Sequence, residues 1–302
     1  MQFDVSAAGF LVGIVVGLTG MGGGALMTPI LVIGFGVQPL AAVSSDLVAA
    51  IVMKPIGGGI HWRRGTVHAG LVRWLAAGSI PSAFLGAFVI SHIDGDIDTL
   101  LETILGAVLL VAAISMAARW WLGDHRRDAS DSEATEIPVR RLATLAVGIV
   151  GGLVVGMTSV GSGSLMIVAL MVLYPRLSTR RLVGTDLVQA IPLVGAAALG
   201  HLIWGDMSAS LTGSLLLGSV PGVILGAHIS SRGKDFVIRP VLIAVLVLSG
   251  AKLLGASDEI LAALLGLALT FGAISLYRHL RRSKRAARTS VEQQRTLEPA
   301  DA

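Results

Sequence analysis

"GLTGMGGGALM", residues 17–27, recurs as "GMTSVGSGSLM" at 156–166, 139 positions further along the chain. The first copy sets Gly20, Gly22, Gly23 and Gly24 side by side in an apolar stretch, where glycine is a poor helix former. Each copy therefore reads as a break between two helical pieces. At a spacing of 140 the match continues. "SSDLVAAI" (44–51) faces "GTDLVQAI" (184–191), His61 faces His201, Gly65 faces Gly205, and "GSIPSAFLGA" (78–87) faces "GSVPGVILGA" (218–227). Shared composition produces scattered Gly, Ala and Leu coincidences, but not an ordered series of Asp, His and Pro. The chain is read as a duplication.

Composition sets the environment of both copies. A mean hydropathy of +0.80, with 54% hydrophobic and 14% charged residues, lies far outside the range of soluble proteins. The expectation is an all-α polytopic membrane protein made of two repeats. Apolar segments lie at 5–19, 25–37, 41–61, 69–91 and 99–121, then at 142–158, 164–174, 182–203, 209–230, 238–254 and 259–277. None has the period-two alternation of a membrane barrel. The predicted organisation is a first repeat over 1–121, a polar linker over 122–141, a second repeat with an extra C-terminal helix over 142–280, and a tail over 281–302. The absence of cysteine excludes disulfides and thiolate metal sites. The N-terminus carries no Lys or Arg ahead of its apolar run and does not read as a cleavable signal peptide.

Lys and Arg mark the cytoplasmic side of membrane loops, and here equivalent loops differ in charge. After the third segment the first copy has "HWRRGTVHAGLVR" and the second "HLIWGDMSAS". After the fourth they have "SHIDGDID" and "SSRGKDFVIR". The copies are thus predicted to have inverted topology in a plasma (inner) membrane. The N-terminus lies outside, and the 62–68 loop, the linker and the C-terminus lie in the cytoplasm.

With that orientation, segments one and two of each repeat form a hairpin. Arms of 15 and 13 residues reach only about 20 Å, short of a hydrocarbon core of about 30 Å. The tip is therefore expected within the membrane, where non-helical backbone must be buried in protein or line a watery space. Two half-helix N-termini converging from opposite sides suit an anion, and broken segments at corresponding positions point to a binding site. The candidate binding residues are Thr19, Gly20, Gly22, Gly23 and Gly24 in the first break and Thr158, Ser159, Gly161, Ser162 and Gly163 in the second. Scattered glycines such as Gly106 and Gly226 are read as helix-packing positions.

The Gly-rich break followed by Pro29 and a Leu, "GMGGGALMTPIL", resembles the signature of the TauE/SafE sulfite exporter family, and the second copy is similar more loosely. Ser162 stands opposite Gly23, and Val168 opposite Pro29. The resemblance covers about residues 8 to 275. It implies a secondary transporter of small sulfur-containing anions such as sulfite, sulfonates or thiosulfate, with H+ as a candidate coupling ion and no cofactor.

Charges within spans are functional candidates because they are costly there. Asp46 and Asp186 occupy matching positions behind Ser45 and Thr185. Two roles are open to them, coupling by proton or cation uptake and capping of a helix start. His61 and His201 are expected to be interfacial anchors. Lys54 has Val194 opposite it and lies beyond snorkelling reach of the basic boundary at Arg63. It either faces the substrate or, if the helix unwinds at Gly57, Gly58 and Gly59, sits in a cytoplasmic vestibule. An anion channel is the alternative reading. An intramembrane serine protease using Ser162 or Ser164 with His201 is a weaker one, since "VGSGS" lacks the nucleophile context and leaves the duplication unexplained. "GMGGG" lacks the Lys-Ser/Thr ending of a P-loop, which argues against ATP-driven transport.

Overall fold

A computed structural model of the chain describes residues 3–19, 23–93, 96–124, 137–229, 235–268 and 270, and these contain helices and no strand. The helices are α1 (Phe3–Thr19), α2 (Gly24–Pro29), α3 (Pro39–Arg63), α4 (Ala69–Ser91) and α5 (Ile97–Asp124), followed by α6 (Arg141–Thr158), α7 (Leu165–Leu173), α8 (Thr179–Trp204), α9 (Ala209–Ile229) and α10 (Asp235–Leu253). They belong to one compact unit that ends at Ala256. A second unit begins at Ser257, and its described residues are helical over 258–268. The 281–302 tail lies outside the described residues. The linker expected at 122–141 starts later than its composition suggests, because α5 stays helical through Asp124.

Six helices, α3, α4, α5, α6, α8 and α9, carry stretches long and apolar enough to cross a membrane. Their side chains are distributed as a bilayer demands. Leu142, Val150, Ile114, Val172 and Leu217 are exposed, while Asp46, Lys54, Asp186, Gln189 and His201 are buried. Water would drive the first group inward. Lipid tails solvate it, and the polar groups retreat to the interior where they find partners.

Two helices are too short to span. The nine residues of α7 cover about 14 Å. α2 runs six residues to Pro29 and continues as a π-helical turn over Ile30–Gly34, about 16 Å in all. Pro29 has no N–H to give to the preceding turn, and the widened turn follows directly. Each short helix starts beside glycines of the repeated motif, Gly23 and Gly24 for α2 and Gly161 and Gly163 for α7.

The packing obeys the internal register of the sequence. α1 and α9 lie parallel, with Gly218, Gly222 and Gly226 seated on the carbonyls of Ser6, Phe10 and Ile14. α4 and α6 lie parallel in the same way, with Gly78 on Leu145 and Gly86 on Leu153. A Cβ on Gly13 would fall 2.5 Å from the Ser219 carbonyl oxygen, and one on Gly152 would fall 2.5 Å from that of Ser79. Moving each pair by 139 or 140 positions turns one contact into the other. Small residues at every fourth position let these backbones touch, and in a membrane close packing of this kind is a main source of helix association. Gly106 likewise fits against Gly250 and Leu254.

α3 and α8 cross antiparallel at the centre. Ser44 meets His201 near one end, and Gly184 meets His61 and Thr66 near the other. These two contacts also interchange on moving 140 positions. α5 packs on α10 beside them.

Candidate functional site

The break after α6 is fully described and buried. Ser159 has φ 59°, Gly161 φ 122° and Gly163 φ 101°. The last two conformations are ones that L side chains rarely adopt, so glycine is required there. Thr158 stabilises the turn, donating to the Val154 carbonyl at 2.6 Å and accepting from the Val160 N–H at 3.2 Å. The Val160 N–H is thereby diverted from the Gly156 carbonyl, and His201 Nε2 takes its place at 2.7 Å. That carbonyl is one of the orphans any helix C-terminus leaves, here satisfied by a buried imidazole. Since a carbonyl only accepts, Nε2 carries the hydrogen.

The two breaks meet. Gly24, the first residue of α2, lies directly on the backbone and hydroxyl of Ser159, and any side chain at 24 would overlap them. Gly23 has an ordinary helical φ of −60°. It matters for closeness: a Cβ there would stand 3.8 Å from Asp46 Oδ1.

α3 sends two side chains into this junction. Asp46 Oδ2 accepts from Ser159 Oγ at 2.5 Å and from Thr28 Oγ1 on α2 at 3.5 Å. Oδ1 has no hydrogen-bond partner. Lys54 lies eight residues on, about 12 Å along the helix. Helical side chains lean toward the N-terminus, which turns its stem back toward Asp46. The ammonium donates to Ser162 Oγ, and the charges of Asp186 and Asp46 both act on it. α3 remains helical through Gly57, Gly58 and Gly59 to Arg63, so the vestibule alternative for Lys54 does not hold. Its residue is only 7% exposed.

α8 contributes Asp186 and Gln189. Gln189 Nε2 donates to Asp186 Oδ1 at 3.3 Å and contacts Met166 Sδ at 2.7 Å, while Oε1 accepts from Ser79 Oγ at 3.3 Å. This amide orientation gives every partner a complementary group. Asp46 and Asp186 each sit eight residues into their helices, too deep to cap them. For α8 the cap is Ser178, which accepts from the Arg181 N–H. The capping role is thus overturned by helix starts that lie earlier than the hydropathy suggested.

The structure brings together Gly23, Gly24, Lys54, Asp46, Ser159 and Ser162, with Gly161 and Gly163 shaping the turn that carries the serines. Thr158 serves its own backbone. Gly20 and Gly22 lie outside the described residues, as does the Thr19 side chain. His201 is no interfacial anchor. It is fully buried and engaged at both nitrogens, by the Gly156 carbonyl and by Ser44 Oγ at 2.8 Å. It therefore does not assemble a catalytic pair with Ser162 or Ser164. His61 is half-buried near the other end, with Thr66 Oγ1 2.9 Å from Nδ1. Thr28 and Gln189 were not anticipated. The signal was present, since the duplication sets Ile167 opposite Thr28 and Ala49 opposite Gln189.

One ammonium, two carboxylates and several hydroxyls in a buried junction offer charge for an anion and sites for a proton. No group of three His, Cys, Asp or Glu side chains that could hold a metal occurs among the described residues.

Comparison with known proteins agrees with this architecture. "Probable membrane transporter protein YjnA" of Bacillus subtilis strain 168 is 37% identical, over 84% of this chain and 100% of its own length. YdhB of the same organism, also described as a probable membrane transporter, is 24% identical over 81% of this chain and 97% of its own. A probable membrane transporter protein of Xylella fastidiosa is 27% identical over 74% and 83%. No solved structure matches. The model of the family described as "Sulfite exporter TauE/SafE" matches residues 5–253, which takes in both breaks and both aspartates, so the chain belongs to the TauE/SafE family of membrane transporters.

Proposed function

We propose that the protein is a secondary transporter of a small sulfur-containing anion, of the sulfite, organosulfonate or thiosulfate type, working by alternating access between two inverted halves. The observation that carries this reading is the buried Lys54 ammonium on Ser162. It places a cation from one half on the helix break of the other, where two broken segments meet. Half-helix junctions of this kind hold anionic groups in inverted-repeat carriers. The sulfur chemistry comes from the family description.

Inversion is supported by the antiparallel crossing of α3 and α8, since equivalent helices running in opposite directions require a two-fold axis across the bundle. The loop charges orient it with the N-terminus outside and the C-terminus cytoplasmic in the plasma membrane. Burial of the described junction residues fits an occluded form, from which opening on either side releases the anion. Asp46 and Asp186 are the sites for a coupling proton.

Purified protein in liposomes tests this. Sulfite or thiosulfate is expected to accumulate against its own gradient when a pH gradient is imposed. Flux that only equilibrates the anion identifies a channel, and absence of flux for sulfite, thiosulfate, taurine and sulfoacetate removes the substrate class. Single cysteines at 65 and 205, introduced into a chain with no native cysteine, are expected to be labelled from opposite sides. Labelling from one side refutes inversion.

A further inference from the structure

Three stretches of the chain meet at one end of the bundle. The His68 N–H donates to Thr185 Oγ1 at 3.0 Å, the Arg140 N–H donates to Tyr174 Oη at 2.8 Å, and Arg141 lies over the Trp74 ring. These contacts join 59–76, 137–146 and 170–185, which contain three, two and three arginines and no Lys, Asp or Glu. Orientation in a membrane needs only positive charge, and lysine supplies it as well as arginine does. Arginine adds a planar fork that grips phosphate through two N–H groups and a face that stacks on aromatic rings. We infer that the seam between α4 and α6 at this end, at Arg73, Trp74 and Arg141, binds the headgroup of an anionic phospholipid. The inference needs only a chain that spans a membrane and stands whatever the protein carries.

The seam is built before any ligand arrives. α4 and α6 run parallel from this end, and Gly148 is seated on the carbonyl of Leu75, the residue after Trp74. The start of α6 is pinned by Tyr174 Oη, which takes the Arg140 N–H and meets Thr144 Oγ1 at 2.5 Å. The Arg141 guanidinium carbon stands 5.7 Å from the centre of the Trp74 ring. The negative face of an indole attracts a cation placed over it. Arg73 and Arg141 are both exposed, so their N–H groups are within reach of a phosphate oxygen from the bilayer surface.

The surface next to Arg141 is apolar and faces lipid. Leu142, Ile149 and Val150 are 81%, 46% and 64% exposed, and their spacing puts them on one face of α6. A phospholipid meets both features at once, its phosphate on the arginines and its acyl chains along this face. Inorganic phosphate matches the arginines alone. The carboxylates of Asp128, Asp131, Glu133 and Glu136, which precede Arg140 in the sequence, likewise offer charge without apolar surface. Each arginine close to an anionic headgroup contributes about 5-fold in affinity.

Quenching of a site-specific fluorophore by brominated lipid tests the assignment. The full chain has no native cysteine, so a bimane label is placed at L142C, beside the seam, or at L217C, an exposed position on α9. Both proteins are reconstituted in mixtures containing brominated phosphatidylglycerol or brominated phosphatidylcholine. Phosphatidylglycerol is expected to be preferred at 142 by about 5-fold or more and at 217 by less than about 2-fold. R141Q, at an exposed position that the fold does not depend on, should lower the preference at 142 about 5-fold. R141K, with the charge but no planar face, should keep less than half of it. Equal preference at 142 and 217, a preference that R141K keeps in full, or one that R64Q lowers as much as R141Q leaves only diffuse surface charge and overturns the inference. So does a label at 142 that neither lipid quenches, since protein then covers the face. Loss of the preference in millimolar inorganic phosphate would make the seam a site for a free anion. A preference that emerges only when Asp128, Asp131, Glu133 and Glu136 are neutralised would make the chain's own acidic stretch the occupant, and either result overturns the lipid assignment.

Discussion

α3 and α8 are the same helix twice, and they differ in what they carry to the junction. Both bear an aspartate at the eighth position, both end near a histidine, and they cross so that the Ser44–His201 contact repeats as Gly184–His61. Yet α3 adds Lys54 where α8 has Val194, and α8 adds Gln189 where α3 has Ala49. The two breaks differ likewise, Ser159 and Ser162 standing opposite Gly20 and Gly23. Backbone packing is duplicated, and polar chemistry is not. Under the proposed alternating access, halves that exchange places share their packing while one small anion calls for a single cation, so the departure from symmetry falls at the proposed anion site.

The largest effect that can break this comparison is at Gly24 and its equivalent Gly163. A leucine at 24 overlaps the Ser159 backbone, and one at 163 must adopt a φ of 101°. Overpacking that cannot relax costs about 3 kcal/mol or more. Gly24→Leu is expected to leave little monodisperse protein after extraction, and Gly163→Leu to give inserted protein without transport. Wild-type yield and flux from Gly24→Leu would mean that the breaks do not touch.

The two histidines come next. His201→Ala leaves the Gly156 carbonyl buried and unpaired, a loss of about 1–3 kcal/mol. His61 is half-buried, so His61→Ala is expected to cost less than about 1 kcal/mol. Thermal unfolding in detergent separates the variants, and equal destabilisation would show that the α6 break needs no outside partner.

Much of this was legible because periodic features leave strong signals. Of the eleven apolar segments, ten became α1 to α10 and the last is helical over 258–268, and the contacts between helices repeat with the spacing of the duplication. What sequence missed lies at distances it does not encode. His201 reads as interfacial because it ends an apolar run, but α6 stops at Thr158 and exposes the carbonyl that draws the imidazole inward. Capping stayed open beside coupling for Asp46 and Asp186 because hydropathy placed their helices' starts too late, at 41 and 182 against Pro39 and Thr179. Thr28 and Gln189 are ordinary polar residues taken singly. The asymmetry that singled out Lys54 marks them too, and applying it to every position would have found them.

For Lys54 itself, Lys54→Gln keeps a hydrogen bond to Ser162 and removes the charge. A hydrogen bond to a charged group contributes about 1.5–3 kcal/mol, so half-saturation for the transported anion should rise about 10- to 100-fold. Lys54→Arg is expected to recover part of this, since the guanidinium restores charge with a different reach. Unchanged affinity and maximal flux in a folded Lys54→Gln protein would move the anion away from the junction.

The smallest effect is expected at Thr28, and its smallness is informative. Thr28 and Ser159 address the same oxygen of Asp46, at 3.5 Å and 2.5 Å. The longer contact is at the limit of a hydrogen bond, where little of the interaction remains. Valine keeps the β-branched shape and removes only the hydroxyl, so no cavity opens at this fully buried site. Thr28→Val is therefore expected to change flux less than about 3-fold, under about 0.7 kcal/mol, whereas Ser159→Ala removes the short contact and should change it by more. If Thr28→Val proves the more damaging of the two, the α2 side of the junction carries the anion or the proton, and the weight given to the second break is misplaced.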